Sequence, residues 1–309
     1  MWKAIKQSYY KTGGSYMSFL SYLVSGISLG SIYALIALGY TMVYGIAKML
    51  NFAHGDVIMV GAYAIYTICI TWGLPPYVGV CGSIVVCAVL GVVIEKVAYK
   101  PLRKASSLAV LITAIGVSYL LQNSALLIFK SDTKSFTSVV NIPAIDLFDN
   151  QLHIQGETIA TIVVSVIIMV ALNLFINKTK PGRAMLAVSE DKGAAQLMGI
   201  NVNSTISLTF LIGSALAAVA GALLCSSYPA LSPTTGAMPG IKAFTAAVFG
   251  GIGSIPGAMV GGILLGVIEN LSKGYISTQF SDAIVFGVLI IILLFKPTGL
   301  LGKKINEKV

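Results

Sequence analysis

Thr161-Ile-Val-Val-Ser-Val-Ile-Ile-Met-Val170 is apolar without alternation, and this decides the fold class. A strand in a membrane barrel alternates apolar and polar residues, whereas a helix satisfies its backbone polar groups within itself, as lipid demands. The stretch belongs to an apolar segment from Thr158 to Ile176. Seven similar segments run from Ser18 to Ile46, Val57 to Trp72, Tyr77 to Ile94, Leu108 to Phe129, Ile206 to Cys225, Pro256 to Leu271 and Ala283 to Phe295. They predict an all-α, polytopic integral membrane bundle. Of the 309 residues, 56% are hydrophobic and 10% charged, against about 25% charged in an ordinary soluble domain.

The net charge of +9 does not point to nucleic acid, because the positive residues fall in short stretches between apolar runs, where they act as topology signals. Lys96, Lys100, Arg103 and Lys104 mark one cytoplasmic loop, and Lys178, Lys180, Arg183 and Lys192 another. Lys296, Lys303, Lys304 and Lys308 mark a cytoplasmic C-terminus. The 130–157 connection sets Lys130 and Lys134 against Asp132, Asp146, Asp149 and Glu157 and is read as external. Three segments after residue 204 would leave the basic C-terminus outside, so one crossing is missing. Ile241 to Phe249, ended by Gly250-Gly-Ile-Gly-Ser-Ile-Pro256, is the candidate. It is too short for a bilayer core of about 30 Å unless it is extended at its N-terminal end or forms half of a broken helix. The first segment is too long and must tilt, project or break, and Gly26, Gly30, Gly39 and Gly45 offer places. The expectation is eight to ten crossings, with broken elements near 51–56 and 250–257 and the side of the N-terminus open.

One transmembrane domain is expected over 18–302, between a polar tail at 1–17 and a short tail at 303–309. The first segment is too long for a signal-peptide core and is expected to be retained; Met17 offers an alternative start. Cys69, Cys81, Cys87 and Cys225 lie within apolar runs in no disulfide or zinc spacing. No phosphate-binding G-x-x-x-x-G-K-[ST] occurs, and two histidines do not assemble a catalytic triad. Neither catalysis, a cofactor nor a metal is expected.

Chemistry within the membrane is therefore confined to few residues. His54 and Asp56 lie in the polar break Asn51-Phe-Ala-His-Gly-Asp56, as hydrogen-bonding supports of the break or as lining of a path or gate. The Gly/Pro break contributes Gly250, Gly251, Gly253, Pro256 and Gly257. A weak internal echo, Met59-Val-Gly-Ala62 and Met259-Val-Gly-Gly262, follows the two interruptions, a pattern that marks translocation sites in many transporters. Glu95 lies beside Lys96, Lys242 opens the short stretch and Asp282 sits at a segment boundary. Glu269 has Lys273 four residues on as a helical partner.

The polar 178–204 stretch is long enough for a helix outside the membrane. Ser189 is placed to cap it, Glu190 and Asp191 suit its first turn, Ala194 to Met198 propagate it and Gly199 ends it. Such a helix must cover either the rest of this chain or a docked partner.

Gly193-Ala-Ala-Gln-Leu-Met-Gly199 resembles the E-A-A-x-x-x-G coupling loop of ABC importer permeases, with Gly193 where that family commonly has glutamate. Ser31 to Gly45, Asn51 to Asp56, Gly182-Arg183 with Glu190-Asp191, and Lys242 to Gly257 resemble the membrane subunits of branched-chain amino acid ABC importers, and within them the H-type permease. The resemblance spans about residues 17–302. It implies half of a translocation path in a bacterial cytoplasmic membrane. The implied partners are a second, M-type permease, two ATP-binding subunits and an extracytoplasmic amino-acid-binding protein delivering leucine, isoleucine or valine. It places Gly193, Ala194, Ala195 and Gly199 at coupling positions, with Glu190 and Asp191 one turn earlier as acidic contacts. An ABC permease for urea, short amides or another amino acid fits the same motifs. A gradient-driven carrier fits the hydropathy alone.

Overall fold

The computed structural model describes residues 2–103, 105–147 and 152–302. Lys104, Asp149 and the 303–309 tail with its three lysines lie outside the described residues. Among those described, seven helices are long and apolar enough to cross a membrane.

The first helix, α1 (Trp2–Ala47), is unbroken. At 1.5 Å per residue its 46 residues extend about 69 Å, so of the three expected outcomes it projects beyond the bilayer and does not break at its glycines, and residues 2–17 are continuous with it. Those glycines pack the helix. Gly26, Gly30 and Ala34 recur every four residues against Gly262 and Gly266 of α10 (Ile255–Tyr275), the small-xxx-small spacing that lets two backbones approach in lipid. The middle of α1, Ile32 to Leu38, is wholly buried.

Next come α2 (His54–Tyr66), prolonged by a π-helical turn at Thr67–Thr71, and α3 (Pro76–Ile94), prolonged likewise at Glu95–Tyr99. α4 (Ser107–Phe129) is largely exposed and presents its apolar side chains outward, as a lipid-facing helix does. α5 (Gly156–Lys178) leads into α6 (Lys180–Glu190) and α7 (Lys192–Leu197), and α8 (Val202–Ser227) is the most buried of the long helices. α9 (Ala237–Gly250), α10 and α11 (Ser281–Phe295) complete the bundle. The segment boundaries read from hydropathy fall within four residues of these helix ends, apart from the N-terminal end of α1. The 130–155 connection carries two short pairings. Strand β1 (Lys134–Ser135) pairs antiparallel with β4 (Ala230–Leu231), and β2 (Ile145–Leu147) with β3 (Leu152–Ile154). The first clasps the chain just before α9.

The missing crossing is α9. Its 14 residues span about 21 Å, so it is a partial helix extended at its N-terminal end. Gly251 and Gly253 adopt φ of 111° and 91° in the turn that follows, a region glycine enters without strain. The break is therefore 251–254, shorter than the expected 250–257. Gly250 closes α9, whereas Pro256 and Gly257 belong to the first turn of α10, where Ser254 Oγ accepts from Gly257 N at 3.2 Å. Proline suits this position because the first-turn amides have no helical partner anyway. The carbonyls left open at the end of α9 are taken by the C-terminal segment: Leu300 N donates to Phe249 O at 2.9 Å and Leu301 N to Gly250 O at 2.8 Å.

The first break is also displaced, to 48–53. His54 and Asp56 lie in the opening turn of α2, and only Asn51 remains in the irregular segment. Lys48 terminates α1 with φ 59°, an uncommon left-handed conformation for a side-chain-bearing residue.

Candidate functional site

His54 lies against Gly39, eight residues before the end of α1. The 48–53 segment thus climbs back about 12 Å along α1 before α2 begins. Two interactions hold it there: Tyr99 Oη donates to Asn51 Oδ1 at 2.9 Å, and the His54 ring meets Tyr40 edge-on at 4.8 Å. Asp56 accepts from Gln122 Nε2 of α4 at 2.9 Å and sits in the first turn of α2, where a carboxylate complements the helix dipole. Both His54 and Asp56 are buried.

The start of α9 meets the same place. Gly236 lies against Gly55, and a Cβ on Gly240 would stand 2.8 Å from the Gly55 Cα. Two helix N-termini therefore converge within the bundle. The other end of α9 comes to the end of α1, where a Cβ on Gly45 would stand 3.4 Å from the Gly253 Cα. Asn51, His54 and Asp56 on one side, and Gly250, Gly251, Gly253, Pro256 and Gly257 on the other, thus occupy opposite ends of α9. They are joined by that short helix and do not form a single cluster.

Near its N-terminal end α9 is anchored by a buried ionic cluster that sequence reasoning noted only residue by residue. Lys242 Nζ donates to Glu269 Oε1 at 2.9 Å and to Asp282 Oδ1 at 2.6 Å. Lys273 Nζ reaches the same Glu269 oxygen at 2.6 Å, and Tyr33 Oη donates to Glu269 Oε2 at 2.9 Å. Glu269 is 1% exposed and Lys242 7%. Two cations and two anions balance, and the cluster ties α1, α9, α10 and α11 together. The i, i+4 pair was legible in the sequence; Lys242 and Asp282 had no local spacing to join them to it.

The 178–204 stretch holds two helices where the sequence suggested one. Thr179 caps α6, its Oγ1 accepting from Gly182 N at 3.1 Å, and Ser189 and Glu190 lie at the C-terminal end of α6. The cap of α7 is Asp191, not Ser189: its Oδ1 accepts from Gly193 N at 2.7 Å and Ala194 N at 2.9 Å. A carboxylate there satisfies two open amides and complements the dipole. Gly199 follows the helix with φ 82°, the left-handed terminator that glycine supplies. Ala195 is buried against the bundle, whereas Glu190, Asp191, Gly193, Ala194 and Gly199 are exposed. Leu197 and Met198 are 90% and 82% exposed. The reading from sequence used these two only to propagate the helix.

Behind the loop, Arg103 is hydrogen-bonded to Glu95 and to Asn203, and Ser207 Oγ donates to Glu95 Oε2 at 2.7 Å. Lys192 Nζ donates to Ala47 O at 2.9 Å. Burial, with Arg103 and Lys48 nearby, holds its ammonium below the ordinary lysine range.

A bundle of apolar helices, one of them partial and one re-entrant connection among them, defines a multi-pass membrane permease. The sequence comparisons specify it further. Residues 22–293 match the family model described as branched-chain amino acid transport system / permease component, and the chain belongs to that family. It is 46% identical over 303 residues to the high-affinity branched-chain amino acid transport system permease protein BraD of Pseudomonas aeruginosa, covering 94% of this chain and 98% of that one. It is 45% identical to LivH of Escherichia coli, covering 95% and 99%. The probable branched-chain amino acid transport permease protein LivH of Methanocaldococcus jannaschii is 31% identical over 294 residues, covering 91% of each chain.

Proposed function

We propose that the chain is one half of the translocation path of an ATP-driven importer for leucine, isoleucine and valine, lying in a bacterial cytoplasmic membrane. It pairs with a second, M-type permease. Two ATP-binding subunits dock on its cytoplasmic face, and an extracytoplasmic binding protein delivers the amino acid. The chain itself performs no catalysis; ATP hydrolysis belongs to the partner subunits.

The observation that carries this reading is the α6–α7 pair. Ala195 seats α7 on the bundle, and the helix then turns Ala194, Leu197 and Met198 into the cytoplasm. Two large apolar side chains so exposed, outside the lipid, fit a docked protein partner. Glu190 and Asp191 supply acidic contacts beside them, so glycine at 193 does not remove acidic character from the surface. The transport cycle is two-state: nucleotide binds the closed ATPase pair more tightly than the open one, α7 follows that closure, and the membrane halves exchange the open side of the path. The moving parts are the segments at the two ends of α9, with Asn51, His54 and Asp56 at one and Gly250, Gly251, Gly253, Pro256 and Gly257 at the other.

Gentle purification of the tagged chain from its native membranes tests the assignment. A second permease and two ATPases should accompany it, with hydrolysis stimulated by leucine-loaded binding protein. A lone chain without ATPase activity, in a preparation that preserves other complexes, would reject it. Ala194→Arg and Gly199→Arg should each lose the ATPases while the chain still inserts, because both positions are exposed on the docking surface. Retained ATPases with full uptake would leave the loop a purely structural element.

Gly253→Val separates movement from packing. A Cβ there meets only the Gly45 Cα, at 3.9 Å, but the residue sits at φ 91°. The cost, about 1–3 kcal/mol of local backbone strain, falls on the 251–254 turn and not on a helix contact. The variant should insert normally and import leucine several-fold more slowly. Uptake equal to wild type, normalised to membrane level, would remove that turn from the cycle.

A further inference from the structure

The first residue of α7 is exposed along its length, yet the tip of its side chain turns back to the bundle. Lys192 reaches inward, 145 residues back along the chain, and its Nζ donates to Ala47 O at 2.9 Å. Ala47 is the last residue of α1, and its carbonyl is one of those a helix leaves without an internal partner. A cation is the favoured partner at that negative helix end. The next residue, Lys48, holds the left-handed conformation that turns the chain into the 48–53 segment. That segment leads directly to Asn51, pinned by Tyr99 Oη, and to His54 and Asp56 in the first turn of α2.

We infer that Lys192 is the positioning residue that couples the cytoplasmic loop to the re-entrant 48–53 segment: it carries displacement of α7 to the end of α1 and so to the start of α2. The inference rests on the reading of α7 as the ATPase docking helix and adds the connection on its inner side.

The surroundings make this contact the direct one. α7 is only six residues long, capped at its start by Asp191 and ended by Gly199, so it moves as a short rigid piece between two turns. The other polar cluster near it, Glu95 with Arg103, Asn203 and Ser207, ties the end of α3 to the start of α8 and, among the described residues, makes no hydrogen bond to α7 or α1. Lys48 and Arg103 are the cations beside Lys192. The ammonium stays at the Ala47 carbonyl against their repulsion, so the contact is held by geometry and by the helix end, and among the described residues Lys192 forms no ion pair with a carboxylate.

The test uses the intact importer, reconstituted with its binding protein, and reads leucine imported per ATP hydrolysed. Lys192→Met should keep both ATPases bound, because the ammonium it removes is engaged with the Ala47 carbonyl and the exposed stem is retained, while transport per ATP falls about tenfold, within the ordinary range of coupling between sites. Lys192→Arg keeps a cationic donor of sufficient reach and should restore most of it. An unchanged ratio in Lys192→Met would overturn the inference. So would loss of the ATPases, since the residue would then be part of the docking surface. The Ala194→Arg and Gly199→Arg variants judge the docking reading separately, by whether ATPases are recovered at all.

If Lys192→Met fails to accumulate, the pair Ala47→Cys with Lys192→Cys asks the same question. Uncoupled as free thiols, it should recover transport when a short bifunctional thiol reagent bridges the two positions, because the tether replaces the lost contact. A bridged pair that remains uncoupled would overturn the inference.

Discussion

Glu269→Ala is expected to cost the folded chain about 3–5 kcal/mol, the usual penalty for removing one partner of a buried ion cluster. The carboxylate accepts from Tyr33, Lys242 and Lys273 and is itself 1% exposed. Its removal leaves three donors short of an acceptor in the interior. Lys242 retains Asp282 at 2.6 Å, but Lys273 and Tyr33 lose the only partners found for them among the described residues. The cluster goes from charge balance, two cations against two anions, to a net positive charge. In the membrane interior the chain has little water with which to compensate. Glu269→Gln retains shape and acceptor oxygen and should fall between alanine and wild type. Lys273→Met should cost less than about 1 kcal/mol, because that side chain is 31% exposed and Glu269 keeps its other donors. Thermal unfolding of the purified chain in one fixed detergent checks the order. A Glu269→Ala midpoint within about 2 °C of wild type would mean that the cluster contributes nothing to stability.

The same cluster explains how far the sequence could be read. Eight apolar segments and their ends were legible because a membrane helix must supply about 20 apolar residues in a row, a long and unambiguous signal. Topological parity then exposed α9, which hydropathy alone misses because Lys242 interrupts it. The breaks were located but misframed, at 51–56 in place of 48–53 and at 250–257 in place of 251–254. Glycine, proline and polar residues look alike in sequence whether they form a turn or the first turn of the next helix. Pro256 and His54 differ from Gly253 and Asn51 only in where the helix hydrogen bonds begin. The Ser189 cap failed for a similar reason: Asp191, two residues later, offers a stronger acceptor, and the residues from 180 form a helix of their own. Contacts between distant segments were not legible at all. Nothing near Lys192 announces Ala47, and nothing near Lys242 announces Asp282.

The glycines of α1, which the sequence offers only as places where a long helix could break, pack it instead, and they give the second large expected effect. Gly30→Val should separate α1 from α10. A Cβ at Gly30 would lie 2.7 Å from both the Cα and the carbonyl oxygen of Ile263, and these are backbone atoms that cannot rotate aside. On the opposing face, Gly266 is packed onto the backbone of Gly30, and Gly262 onto that of Ala34. The added isopropyl group must push apart two helices whose association in lipid depends on close backbone contact. The expected loss is about 3 kcal/mol or more, at the upper end of overpacking, seen as a lowered unfolding midpoint and reduced accumulation in the membrane. Gly116→Val and Gly287→Val are the controls: a Cβ at either meets nothing within 4 Å, and both should leave the midpoint unchanged. If all three variants behave alike, backbone proximity is not what holds α1 to α10. The contact also continues into the ionic cluster. Tyr33 lies one turn beyond Gly30, Glu269 one turn beyond Gly266, and the two meet at 2.9 Å. Pushing α1 away at Gly30 therefore strains the Tyr33–Glu269 hydrogen bond as well, and residues sharing a contact do not act independently. Gly30→Val combined with Glu269→Ala should cost less than the sum of the two single losses. A strictly additive pair would mean that the glycine seam and the ion cluster stabilise the bundle separately.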